Sequence, residues 1–418
     1  MFKVCLFDLD QTLVMTEDMK ELRESGKNKT EIEYREQVRE TFNQKKDRLF
    51  YPEELLLQIR DNFPGMKLGV FTRSPRSYAK TILKEAYPSL RWDIVIAYED
   101  VQRTKPYGEG VDKAMFSFGY EHISRVVLVG DGDTDIRAAY NAGCVAVLDR
   151  SSWNLHLESD NWRSLSRIPD VIIHKPGDII KVLENYKTYL PELERLLYKA
   201  RNEDLHQPRF DRINKFIPRE AGGGTTPFPI FSCGRSFANY KSLEWRKKWH
   251  KLTKSIIDQK EADEFPVEWI QAVRTFIGIH FKLLPADREL VVSVIPHRPD
   301  RKARLEAFLG QLKASFEATP CASFPNLLWV SDLLAYKDGV LSNSNEKLNA
   351  VQRFENVKDH LFVKKSDIVK NGKNVLIIDD VCTTGSSLIC ARNALIDAGA
   401  SDVTCLAIAM NIGNVLYE

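Results

Sequence analysis

Short apolar runs recur along the chain, each closing on polar or acidic residues. In the N-terminal part they are FKVCLF (2–7), KLGVFT (67–72), WDIVIAY (92–98), RVVLVGD (125–131) and CVAVL (144–148). Runs this continuous predict strands covered on both faces, because a half-exposed strand would alternate apolar with polar side chains. Helical periodicity fills the gaps at 75–87 and 108–119. Strands alternating with helices predict an α/β fold with a parallel sheet and helices on both faces. A second such series follows, with strands at LVVSVIP (290–296), VLIID (375–379) and VTCLAIAM (403–410) and helices over about 240–260 and 266–283.

Two stretches interrupt this order. Residues 16–62 are charged and helical, rich in Lys and Glu, and predict an insertion after the first strand. Past residue 185 the chain turns into a charged helical segment, LPELERLLYKARNEDL, and then a Gly/Thr/Pro run, PREAGGGTTPFPIF. The expected organisation is therefore a domain over 1–185, a linker over 186–229 and a second domain over 230–418. No internal repeat relates the two.

Composition narrows the class without choosing a ligand. At 418 residues the chain exceeds one ordinary core, and 43% hydrophobic with 28% charged residues describes a globular protein. A formal charge of +2 does not by itself imply a polyanionic partner. The basic and aromatic stretch YKSLEWRKKWHKLTKS (240–255) invites a nucleic-acid interpretation, yet Trp245, Trp249, Leu252 and Ile256 fall on one helical stripe, which predicts buried tryptophans and a solvated lysine face. Seven cysteines form no CxxC pair, which argues against a zinc ribbon or a disulfide framework and fits a reducing cytosol. The sequence opens directly on a strand with no signal core, and it holds no run of about 18 apolar residues, so a cytoplasmic protein without a membrane span is expected.

Candidate chemistry lies where the strands end. Asp8 and Asp10, two apart on a strand, project the same way from its carboxyl end, where open α/β sheets bind ligands. Paired carboxylates there suit a hard cation such as Mg²⁺ beside a phosphate. Thr72 ends the next strand, Lys105 follows in EDVQRTKP, and VLVGDGDTDI supplies Asp131 and Asp135 after a further strand. This ordered set over about residues 1–185 resembles the haloacid dehalogenase superfamily, most of whose members are magnesium-dependent phosphatases. The resemblance implies Asp8 as nucleophile, Asp10 as general acid and base, Thr72 and Lys105 as phosphoryl-binding groups, and Asp8, Asp10, Asp131 and Asp135 around the metal, with Thr12 shaping the loop. It also makes the insertion at 16–62 a small helical cap. Asp133 is extra, its commoner fate being a solvated loop residue. Lys20, Arg73 and Arg76 are ordinarily surface charges at such positions.

A second constellation, VLIIDDVCTTGSSL (375–388), runs from a strand through an acidic pair and a hydroxyl-rich turn into a helix. Unpaired amides at a helix start favour an anion, and an acidic pair suits sugar hydroxyls. Over about 230–418 the chain resembles type I phosphoribosyltransferases. Asp379 and Asp380 would then hold the ribose of phosphoribosyl pyrophosphate, and Thr383, Thr384, Gly385, Ser386 and Ser387 its 5′-phosphate. SVIPHRPDRKARLEAFLGQL (293–312) corresponds to that family's pyrophosphate loop, with His297, Arg298 and Arg301 as candidates, and QRFENVKDHLFV (352–363) resembles a segment of the ComF-like subgroup. That subgroup often carries a zinc ribbon, which this chain lacks, and the base-selecting hood is expected over 210–285. Cys382 fits the turn as a small residue, since no neighbouring histidine activates it.

The expectation is a bifunctional enzyme, a Mg²⁺-dependent phosphomonoesterase joined to a phosphoribosyltransferase of nucleotide or nucleoside metabolism. Two alternatives stand beside it: a phosphatase regulated by a non-catalytic sensor of phosphoribosyl pyrophosphate or nucleotide, and a phosphatase that trims nucleic-acid ends.

Overall fold

The N-terminal apolar runs form β1 (Val4–Phe7), β2 (Lys67–Phe71), β3 (Ile94–Ile96), β4 (Val126–Gly130) and β5 (Val145–Asp149), and β6 (Val171–Ile173) adds a short edge strand that the sequence did not announce. A computed structural model describes residues 1–153, 159–200, 207–285, 288–299, 301–320, 324–341, 348–413 and 415–416. The chain divides into two compact units, one of Met1–Leu190, Phe237–His250 and Gly413–Glu418, the other of Pro191–Ser236 and Lys251–Ile412.

In the first unit the six strands form one sheet in the order β3-β2-β1-β4-β5-β6, parallel at every pairing. Every residue of β1, β4 and β5 is buried, as their unbroken apolar character requires. The order reverses between β1 and β4, so the loops after these two strands open side by side. The insertion after β1 contains helices Lys20–Ser25, Ile32–Asn43 and Glu53–Asn62. Tyr34, Val38 and Phe42, four apart, bury one face of the second, and Leu56 and Ile59 bury the third. Arg48 ties down the base of this lid: it donates to the carbonyls of Met15 (2.9 Å), Thr41 (3.1 Å) and Phe42 (2.7 Å) and grips both oxygens of Asp18.

The second unit contains β7 (Asp211–Lys215), β8 (Phe228–Ser232), β9 (Arg235–Phe237), β10 (Glu289–Val294), β11 (Asn326–Trp329), β12 (Leu334–Tyr336), β13 (Leu361–Val363), β14 (Asn374–Cys382) and β15 (Asp402–Ile412), though Phe237 at the end of β9 falls in the first. The main sheet runs β11-β10-β14-β15-β8-β7 with β9 beside β15, while β12 and β13 pair separately. β10 pairs in parallel with β11 and β14, and β15 with β14 and β8, while β7 and β8 pair antiparallel. Residues 218–227 of the Gly/Thr/Pro run connect the hydrogen-bonded strands β7 and β8, and its last four residues belong to β8.

The single helix expected over 240–260 is two, Glu244–Trp249 and Lys251–Asp258, because His250 adopts an extended conformation (φ −75°, ψ 110°). The break rotates the stripe: Leu252 stays buried, but Trp245 is 56% exposed. Arg246 takes the interior position, wholly buried, donating to the Cys144 carbonyl at 2.7 Å and pairing with buried Asp170. The rings of Trp249 (4.0 Å) and Phe237 (5.1 Å) flank its guanidinium. No helix among the described residues is long and apolar enough to cross a membrane.

Candidate active site

Residues Asp8 to Val14 make a tight turn rather than extending β1. The amide of Asp8 donates to Val129 (2.8 Å), and the amides of Leu13 and Val14 return to the Leu9 carbonyl (3.0 and 3.1 Å), with Gln11 at φ 60°. The turn carries Asp8 and Asp10 at the carboxyl end of β1. From the β4 side, Asp131 and Asp135 meet Asp8, and one oxygen from each lies within 4.8 Å of the other two. Lys105, almost wholly buried, bridges two of the three, with Nζ 2.5 Å from Asp8 and 2.6 Å from Asp135. Thr12 donates to Asp131 at 3.1 Å. Thr72 is buried, and its hydroxyl accepts the Ser74 amide at 3.0 Å.

The resemblance puts Asp10 beside the metal, and in the structure other side chains engage its carboxylate. The group of three carboxylates excludes it. It accepts instead from Thr16 (2.6 Å), Tyr78 (3.1 Å) and Ser74, and pairs with Arg23 at 3.2 Å. Four donors on one carboxylate fix its orientation. None of these four residues carried a signal as strong as the DxD spacing. Ser74 and Tyr78 follow Thr72 at the start of the helix Arg76–Ala86, and Arg23 arrives only through the fold of the lid. Asp133 is no solvated loop residue, since Arg167 (2.7 Å) and Arg137 (3.2 Å) both bind it. Arg76 pairs with Asp100 at the surface, and Lys20 is exposed.

Burial and crowding of like charges dominate the electrostatics of the site. Burial pushes Asp8 up to about 7, with Lys105 opposing and Asp135 and Asp10 adding to the rise. Burial, then the charges of Asp135 and Asp8, push Asp131 well above the ordinary carboxylate range, with the Thr12 hydrogen bond opposing. Burial alone would lower Lys105, but the carboxylates of Asp135 and Asp8 outweigh it and raise it. Three crowded carboxylates beside one lysine form an all-oxygen donor set of the kind a hard divalent ion takes, and such an ion would relieve their repulsion.

In the second unit, Asp379 and Asp380 lie near the end of β14. The amide of Asp380 donates to Asp379 Oδ1 (2.9 Å), and the amide of Val381 donates to Asp380 Oδ1 (2.7 Å). Burial, and then the charge of Asp380, hold Asp379 well above its usual range. The turn that follows needs glycine at 385, where φ is 84° and an added Cβ would press at 3.0 Å on Ile230 and Lys215. Thr384 and Ser386 hydroxyls lie 2.9 Å apart at the start of the helix Ser386–Asp397, and Lys215 donates to the Thr383 carbonyl at 2.8 Å. Among the candidate anion ligands, His297 faces Glu306 (2.7 Å), Arg298 donates to the Leu341 carbonyl, and the Arg301 amide binds the Arg298 carbonyl (2.9 Å). The guanidinium that pairs with Asp380 belongs to Arg304, which the sequence reading passed over. Asn356 clamps the backbone of Leu341 from both sides (2.9 and 3.1 Å). Burial pushes the Cys382 thiol up to about 12, out of the range of a nucleophilic thiolate. Cys321 lies outside the described residues.

Known proteins resemble parts of this chain. Residues 18–148 match the family described as haloacid dehalogenase-like hydrolase. Phosphoglycolate phosphatase of Aquifex aeolicus is 28% identical over 122 residues, 29% of this chain and 53% of that protein. Pyrophosphatase PpaX of Bacillus mycoides is 28% identical over 123 residues, 28% of this chain and 53% of that protein. Ribose-phosphate pyrophosphokinase of Pyrococcus abyssi is 30% identical over 146 residues, 33% of this chain and 48% of that protein. The chain spans about half the length of the curated relatives it matches. Among solved structures, a predicted phosphoglycolate phosphatase from Haemophilus somnus covers 43% of this chain and 97% of its own, at 22% identity and a TM-score of 0.33. A HAD-superfamily hydrolase from Geobacter sulfurreducens covers 44% and 100%, at 17% identity and a TM-score of 0.31. The N-terminal part of the chain carries a haloacid dehalogenase-like hydrolase domain.

Proposed function

We propose that the first unit is a phosphomonoesterase acting on small phosphate esters through an aspartyl-phosphate. One observation carries the proposal: Asp8, Asp131 and Asp135 converge at the reversal of strand order, with Lys105 bridging two of them. Asp8 attacks phosphorus, forming an Asp8–phosphate bond as the bond to the leaving oxygen breaks, and Asp10 gives that oxygen its proton. Water, losing a proton to Asp10, then cleaves the acyl phosphate and regenerates Asp8. Lys105 offsets charge on the transferring group, and the Thr72 backbone and hydroxyl shape the pocket that receives it. Asp8, Asp131 and Asp135 would hold Mg²⁺, which supplies charge neutralisation at the phosphate oxygens when bound. The names of the Aquifex and Bacillus relatives support phosphate-ester or pyrophosphate chemistry.

The test uses the full chain with Mg²⁺ and p-nitrophenyl phosphate. Hydrolysis should vanish on chelation and fall by more than about a thousandfold in Asp8→Asn, as loss of a covalent nucleophile demands. Phosphate release by Asp8→Asn at the unaltered rate would overturn the assignment.

For the second unit the acidic pair of β14 and the hydroxyl-lined helix start favour a ligand that combines ribose with phosphate, and phosphoribosyl pyrophosphate fits both ends. The similarity to a ribose-phosphate pyrophosphokinase supports the same chemistry. Transfer of the phosphoribosyl group to a base, or sensing of that ligand without transfer, both follow from such binding. Calorimetry with phosphoribosyl pyrophosphate on the full chain and on Asp379→Asn separates binding from no binding. Mass spectrometry with a panel of bases separates transfer from sensing.

A further inference from the structure

Arg23 lies on the lid helix Lys20–Ser25, and its NH1 stands 3.2 Å from Asp10 Oδ1. Its side chain is 27% exposed, buried enough to hold a position and open enough to meet a solute. A guanidinium presents five N–H donors in a planar fork, and the contact with Asp10 occupies one of its three nitrogens. Burial alone would lower its pKa; the charges of Asp10, Tyr78 and Asp8 outweigh it, which puts the guanidinium within electrostatic reach of both aspartates. Three other cations of the lid side have partners of their own. Lys27 sits 4.5 Å from the centre of the Tyr98 ring, Lys29 sits 5.3 Å from that of Tyr34, and Arg76 binds Asp100.

The lid loop that follows Arg23 is latched. The Asn28 amide donates to Glu99 (3.1 Å), the Ser77 hydroxyl donates to the Lys29 carbonyl (2.6 Å), and Glu99 also accepts the Arg76 amide (2.8 Å). Arg23 is thus carried on a segment fixed at both its base and its tip, beside the carboxylate assigned to protonate the leaving group. A group 3.2 Å from Asp10 reaches atoms one or two bonds beyond the ester oxygen.

We infer that Arg23 selects the leaving group, favouring phosphate monoesters whose leaving group bears a second anion, a carboxylate or a phosphate, next to the ester oxygen. This deepens the phosphatase assignment above and rests on it. An anionic leaving group exchanges one oxyanion for another at the guanidinium, so the partly buried charge stays compensated. A neutral leaving group offers no such exchange.

The experiment compares kcat/KM of the full chain with Mg²⁺ for 2-phosphoglycolate and 2-hydroxyethyl phosphate, a pair differing in carboxylate against hydroxymethyl. Wild type should prefer the carboxylate by about 10- to 100-fold, the worth of one hydrogen-bonded charge contact. Arg23→Gln should bring the ratio toward one, and Arg23→Lys should restore part of it. If Arg23 only positions Asp10, both substrates slow in step and the ratio stays fixed, which overturns the inference. A ratio near one in wild type overturns it as well. If neither ester nor p-nitrophenyl phosphate is hydrolysed by wild type, the phosphatase assignment fails first and takes this inference with it.

Discussion

An added Cβ at position 130 would lie 2.2 Å from Cγ of Asp135 and 2.5 Å from its Oδ2. Asp135 holds Lys105, and Lys105 holds Asp8, so a methyl at 130 pushes on a chain of three charged groups. Gly130→Ala should therefore cost more in rate than in stability. Overpacking of this kind destabilises by about 1–3 kcal/mol, while a displacement of about 1 Å at reacting groups costs on the order of a hundredfold in rate. Measuring the melting temperature and kcat/KM on the same preparation checks this; a stability loss without a rate loss would show that Asp135 relaxes without moving Lys105. At this scale the sequence was legible where the pattern is local. Asp8 with Asp10, and Asp131 with Asp135, each follow directly on an apolar strand. Arg23, Ser74 and Arg304 were not legible, since each owes its role to a contact made only after distant segments pack. The DxD spacing gives no sign of the four donors that engage the Asp10 carboxylate, because they come from elsewhere in the chain.

Among the elements, the lid depends on one arginine. Arg48 is 3% exposed and joins Met15, Asp18, Thr41 and Phe42, closing the two ends of the excursion on each other. Hydrogen bonds from Arg48 hold the Asp18 carboxyl below its usual range, with burial opposing them and Lys45 adding to the effect. A depressed carboxylate stabilises the fold above its unfolded pKa and loses that contribution as pH falls through the folded value. The unfolded value is about 4, so the lid base should be at full strength near neutrality and loosen below about pH 4. Limited proteolysis across that range should find cleavage within 16–50 rising on acidification, and Asp18→Asn should abolish the pH dependence. Equal cleavage of wild type and Asp18→Asn at every pH would sink this. The main strands and the insertion were readable because burial on both faces and a change of period leave marks in composition. β6 to β9 and β11 to β13 were not, each being five residues or fewer, with charged residues in β7 and a proline in β8. The break at His250 also escaped, because a single extended residue leaves the apolar spacing around it unchanged while altering what that spacing means.

Across the whole molecule, order in sequence and membership of a unit part company. Residues Phe237–His250 lie between stretches of the second unit along the chain, yet they pack with the first. Their anchor is Arg246, which no reading of linear boundaries would single out. Its guanidinium is wholly buried among Tyr140, Phe237 and Trp249 and faces Asp170, itself fully buried and accepting the Ala146 amide of β5 at 2.8 Å. Truncating one partner of a buried ion pair is costly, typically about 3–5 kcal/mol, because the remaining charge stays out of water with its countercharge removed. Arg246→Met should therefore lower the unfolding free energy of the first unit by about 3 kcal/mol or more, although it sits more than fifty residues past the last strand of that unit's sheet. A chain ending at residue 190 loses the same contact together with the aromatic rings around it, and should melt well below the intact protein and hydrolyse p-nitrophenyl phosphate poorly. Supplying residues 237–250 on a flexible Gly/Ser tether to that shortened chain should recover much of the difference. Matched melting curves and matched rates for the intact and shortened chains would show instead that the sheet β3-β2-β1-β4-β5-β6 and its lid suffice alone, and that Arg246 merely fills a site the unit can do without.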